Sequence, residues 1–168
     1  MNDDISQFYA LPTPEDDKWE KRLLRLLMSP RPRRDLERRL RQSGCPDETA
    51  AELLDRFEEA GLIDDKLYAL LYIDSKRDFG ALRLRDELRA RGVSSADIED
   101  ALDECDIDEV ERAGRLLAGW ARLPGATAEK LASRLRRRGF SGSTVREALA
   151  AIDDSLLAPS RSSDEDEE

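Results

Sequence analysis

One arrangement of apolar, polar and glycine positions occurs three times along the 168-residue chain. Leu36, Leu40, Gly44, Cys45, Ala50, Leu53, Leu54 and Phe57 form the first set. A shift of 48 residues gives Leu84, Leu88, Gly92, Val93, Ile98, Ala101, Leu102 and Cys105. A further 47 gives Leu131, Leu135, Gly139, Phe140, Val145, Ala148, Leu149 and Ile152. Leucines four apart share one face of a helix. The glycine four residues later suits the left-handed position that stops a helix, where a Cβ would clash. Pro46-Asp47, Ser94-Ser95 and Ser141-Gly142 then open a new helix, and the spacing 50/53/54/57 with its two echoes is an amphipathic stripe.

A third helix precedes each pair. Trp19, Leu23, Leu26 and Leu27 form one apolar stripe; Val110, Ala113, Leu117, Trp120 and Ala121 form another. Leu67 to Lys76 is the corresponding helix of the middle unit. The breaks at Ser29-Pro30-Arg31-Pro32, Asp78-Phe79-Gly80 and Leu123-Pro124-Gly125 separate these first helices from the second ones. No period-two strand pattern occurs. The expected fold is all-α, an elongated array of three tandem three-helix repeats over 18–63, 64–106 and 107–152.

Charge sharpens these boundaries. The net charge of −10 sits mostly at the ends: five carboxylates and no base in 1–17, and seven carboxylates against Arg161 in 153–168, which leaves 18–152 at +1. Both ends are expected to be disordered, acidic segments. The tail reads as a solvating appendage, or alternatively as an acidic competitor for a basic surface on the same molecule. The acidic N-terminus does not resemble a signal peptide and no apolar run approaches the ~20 residues of a membrane span. A cytoplasmic monomer is expected.

Catalytic chemistry finds few candidates. Histidine is absent, which removes the commonest general base and the commonest zinc ligand. The repeat register puts Cys45 and Cys105 at core apolar positions, where a thiol acts as a small hydrophobe. Asp64-Asp65 stands where a helix should start, and capping accounts for it. No phosphate-binding glycine loop or metal-ligand spacing occurs. No catalytic residue, cofactor site or metal site is therefore expected.

The arginines carry more information. They outnumber the lysines 23 to 5, and they cluster on the second helix of each unit. Arg34, Arg38 and Arg41 lie in the first cluster, Arg83, Arg85, Arg89 and Arg91 in the second, and Arg134, Arg136, Arg137 and Arg138 in the third. Stacked units would align these clusters into one stripe able to hold phosphates or carboxylates bidentately. The alternative is three solvated faces paired with the acidic helices that follow them. No aromatic residue is interleaved with the clusters, so base stacking is not expected.

The middle unit also resembles a known family. Gly61-Leu62-Ile63-Asp64-Asp65, Tyr68-Ala69, Tyr72-Ile73 and Lys76 are similar to the central signature of the RecX regulatory proteins. The likeness continues through Phe79-Gly80, Arg83, Glu87-Leu88 and Arg91-Gly92-Val93 to Ile98 and Ala101-Leu102, and more weakly over 19–152. The first repeat departs from the pattern at Pro30 and Pro32. The resemblance implies a non-catalytic protein that binds the RecA filament on single-stranded DNA and inhibits strand exchange, ATP hydrolysis and co-protease activity, in DNA repair and the SOS response. It implies contacts with RecA, and with single-stranded DNA through or beside RecA. The runner-up is a stand-alone nucleic-acid-binding module using the same arginines on phosphates.

Overall fold

The computed structural model describes residues 14–152. Nine helices follow one another among them: α1 (Pro14–Leu26), α2 (Arg33–Gln42), α3 (Asp47–Glu59), α4 (Asp65–Ser75), α5 (Ala81–Arg91), α6 (Ser95–Glu104), α7 (Glu109–Trp120), α8 (Ala128–Arg137) and α9 (Gly142–Ala150). The described residues contain no strand. The helices group in threes, and the closest packing runs within each group: α1 and α3 with α2, α4 and α5 with α6, α7 and α8 with α9.

Each unit buries its own apolar stripe. Leu36, Leu40, Ala50 and Leu54 are fully enclosed in the first, Leu84, Leu88, Ile98 and Ala101 in the second, and Leu135, Phe140 and Val145 almost so in the third. These are the repeated positions of the sequence, gathered into three separate cores. Burying one such side chain contributes about 1.5–3 kcal/mol. Gly44, Gly92 and Gly139 end α2, α5 and α8 with φ of 87°, 92° and 84°, the left-handed conformation the pattern demands. Ser94 and Ser141 cap α6 and α9 by accepting the amide hydrogens of Asp97 and Thr144.

Two boundaries shift. Helix α1 begins at Pro14, so residues 14–17, expected within the unfolded N-terminal segment, form its first turn. Proline favours the first helical position and carboxylates favour the positive end of the dipole, so the residues that read as a charged leader also start a helix. Asp17 pairs with Lys21 one turn on, at 2.6 Å. Ile107, expected at the head of the third repeat, packs against the middle core. Asp106, at φ 42°, turns the chain just before it. The remaining N-terminal residues and the tail 153–168 lie outside the described residues.

Candidate functional site

The arginine-bearing helices α2, α5 and α8 meet end to end, and the two meetings differ. Where α8 ends and α5 begins, the Gly80 amide donates to the Arg138 carbonyl at 2.9 Å and the Leu82 amide to the Gly139 carbonyl at 3.2 Å. Donors at a helix start and acceptors at a helix end are otherwise orphaned, so each helix completes the other. Gly80 is needed for space here: a methyl group on it would overlap the Gly139 carbonyl and the Phe140 amide. Arg83 donates to the Arg137 carbonyl, Arg112 to the Phe79 carbonyl at 3.1 Å, and Arg138 pairs with Asp78 at 2.9 Å.

At the other meeting, Pro32 occupies the register position of Gly80. It has no amide hydrogen to donate. Among the described residues no backbone hydrogen bond joins units one and two. One feature is shared. Asp65, the first residue of α4, accepts the Arg33 amide at 2.7 Å and so caps α2 from the neighbouring unit. Glu109, the first residue of α7, does the same for α5 through the Ala81 amide at 2.6 Å. Of the two expected capping residues, Asp64 caps its own helix through Leu67 at 2.8 Å, and Asp65 caps across the repeat.

The looser meeting opens into a cleft of about 760 Å³. Arg31, Arg34, Arg38 and Arg41 of the first unit and Arg91 of the second line it, against two carboxylates, Asp35 and Glu37. Asp35 accepts from Arg31 at 3.2 Å, from Arg39 at 2.7 Å and from Arg38. Burial works to raise the Asp35 pKa, but hydrogen bonds from Arg39, Arg38 and Arg31 outweigh it and hold the carboxyl below its ordinary range. One half-buried carboxylate thus orients three guanidinium groups, each with donors to spare. Arg34 is exposed, has no ion pair among the described residues, and its stem lies over Gly92.

Arg91 is held from behind. It donates to the Glu87 carbonyl at 2.9 Å and sits 4.5 Å from the centre of the Tyr72 ring. Glu87 also accepts from the Tyr72 hydroxyl and from Arg83 at 2.9 Å, and its pKa falls, chiefly through the Tyr72 hydrogen bond. Burial, with that same hydrogen bond, pushes the Tyr72 phenol up to about 12. Tyr68 stacks on Tyr72 with ring centres 6.2 Å apart and forms part of the cleft wall. The expectation that no aromatic accompanies the arginines holds along the chain but not in space.

The other candidate arginines divide by their partners. Arg85 is gripped by Glu99 through Nε at 2.8 Å and Nη2 at 2.7 Å, so it does not form a free pair with Arg89. Arg89 is exposed and approaches Asp86 only to 3.8 Å. Arg134 lies 4.2 Å from the Trp120 ring centre, with Arg138 at 5.3 Å from the same ring. Arg136 and Arg137 are exposed, with no ion pair among the described residues. Sequence reasoning missed Arg31, Tyr68 and the two inter-unit caps; the available signal was an acid at the start of the first helix in the second and third units, Asp65 and Glu109. Among the described residues, no group of three His, Cys, Asp or Glu could hold a metal ion, and no helix is long and apolar enough to cross a membrane.

Fold and surface together define a helical-repeat protein that carries its distinctive chemistry in open arginine clusters along one line of helices. Residues 64–102 match the model of the second three-helix domain of RecX. The Regulatory protein RecX of Streptomyces coelicolor is 37% identical over 144 residues, covering 78% of this chain and 76% of that protein. The crystal structure of RecX from Lactobacillus salivarius superposes with a TM-score of 0.74 over 82% of this chain and 97% of that one, at 24% identity. A second crystal structure, of regulatory protein RecX, gives 0.70 over 79% and 70% at 26% identity. The chain belongs to the RecX family of regulatory proteins.

Proposed function

We propose that this protein is a cytoplasmic, non-catalytic regulator that binds the RecA–single-stranded DNA filament and inhibits its recombinase, ATPase and co-protease activities. The observation that carries the reading is the end-to-end run of α2, α5 and α8, which brings the three arginine clusters onto one elongated molecule. A filament repeats along its axis, and an elongated array of repeats can meet several of its subunits at once. Bidentate guanidinium groups suit both the carboxylates of a protein and the phosphates of the strand it coats. Family membership supports a regulatory role.

The test uses exposed cations of the second and third clusters. Arg89→Glu with Arg136→Glu and Arg137→Glu leaves every core and every inter-unit hydrogen bond in place. Normal helical content, loss of binding to RecA filaments and restored RecA ATP hydrolysis are expected. Undiminished suppression at the same concentration and salt would remove these clusters from the contact. Arg85 is a poor choice for such a test, because a glutamate there would face Glu99.

A further inference from the structure

The cleft between the first two units combines open volume, a row of guanidinium groups and an aromatic wall. Its volume of about 760 Å³ lies within the ~300–1,000 Å³ of sites that enclose small molecules or single residues of a polymer. One wall carries Arg34, Arg38 and Arg41 at helical spacings of four and three, a row roughly 10 Å long. The other carries Arg91 and the Tyr68 ring, with Tyr72 stacked behind it. Pro30 and Pro32 add apolar surface.

Cationic groups on one side and an aromatic face on the other are the two requirements of single-strand binding, in which phosphates meet guanidinium groups and a base stacks on a ring. A duplex keeps its bases stacked inside, so only an unpaired strand can offer a base to a recess. An acidic peptide would use the arginines but leave the aromatic wall without a partner. We propose that this cleft seats one or two nucleotides of a single strand, with phosphates on Arg34, Arg38 and Arg41 and a base against Tyr68. The inference rests on the functional reading above only in that the strand is the one RecA coats.

Three probes at low salt decide it, each followed by fluorescence anisotropy with the full chain: labelled oligothymidylate, an abasic sugar–phosphate strand of equal length, and a duplex. The native protein should bind oligothymidylate tightest. Tyr68→Leu should weaken oligothymidylate binding about tenfold and leave the abasic strand unchanged. Arg34→Glu with Arg38→Glu, both on the exposed face of α2, should weaken both strands and flatten the salt dependence. If Tyr68→Leu melts early, the native comparison of thymidylate with abasic strand decides alone. Equal affinity for these two strands overturns the base seat. Displacement of oligothymidylate by polyglutamate as readily as by unlabelled strand overturns it in favour of an acidic protein segment. Filament binding is scored separately with the Arg89, Arg136 and Arg137 variant, so either reading can fail without the other.

Discussion

The two meetings between units start from the same plan. In each, an acid at the head of one unit's first helix caps the second helix of the unit before it: Asp65 to Arg33, and Glu109 to Ala81. In each, a left-handed glycine at a helix end lies under an arginine, Gly92 under Arg34 and Gly139 under Arg83. They part at the register position of Gly80 and Pro32, and again three residues into the following unit's first helix. Gly80 brings two backbones into hydrogen bonding, whereas Pro32 has no amide hydrogen to offer. The tight meeting then adds Arg112 and Arg138 across the gap, while the loose one places Tyr68 where the tight one has Arg112. A few substitutions at the ends of the units, with Pro32 and Tyr68 in place of Gly80 and Arg112, therefore leave an open cleft at one meeting and a closed one at the other while each unit keeps its own core.

Substitutions that trade the two meetings test this. The largest effect is expected from Gly80→Pro, which copies the loose meeting into the tight one. It removes one hydrogen bond and forces atoms into the Gly139 carbonyl, a cost on the order of 3 kcal/mol. The reverse change, Pro32→Gly, should cost less, about 1–2 kcal/mol, through the freer unfolded chain and the loss of a buried ring. Urea unfolding of both variants measures the contrast, and similar losses would erase it.

Removing a cap comes next. Glu109→Ala should cost about 1–2 kcal/mol, since the Ala81 amide loses its acceptor. Thr144, which donates to the same carboxylate at 3.3 Å, loses a partner too.

Asp65→Asn should have the smallest effect, with a distinctive pH signature. Burial raises the Asp65 pKa against the opposing Arg33 amide, with Asp97 and Glu58 adding to the rise. The folded chain therefore holds this proton to higher pH than the unfolded one, and the contribution of Asp65 to stability declines as pH rises above the ordinary carboxylate range. Asparagine keeps an oxygen for the Arg33 amide and carries no charge. Its thermal stability should vary less with pH over that window than the native protein's; an unchanged slope would mean that Asp65 is not the group responsible.

Much of the fold was legible because a helical core writes itself as periodic leucines and a stop as glycine. The three sets of eight positions name most of the buried side chains of the second and third helices. The cleft was less legible. Arg34, Arg38 and Arg41 stand out in sequence, but Tyr68 reaches them from a different unit, and no spacing rule links residues so far apart. Arg85 shows the same limit: its place in the arginine cluster is visible in sequence, while Glu99, which engages it, comes from the next helix. Pro32 was visible as a departure from the pattern. Its consequence required knowing that the matching Gly80 amide meets Arg138.

Amide hydrogen exchange at Arg33 and Ala81 tests the difference between the meetings most directly. The two amides hold the same register position, and each donates to one carboxylate of the following unit. Ala81 is flanked by two inter-unit backbone bonds and Arg33 by none among the described residues. At roughly 0.5–1.5 kcal/mol per bond, Ala81 should exchange about five- to 150-fold more slowly than Arg33. Equal protection at the two amides would contradict a tight second meeting and a loose first one.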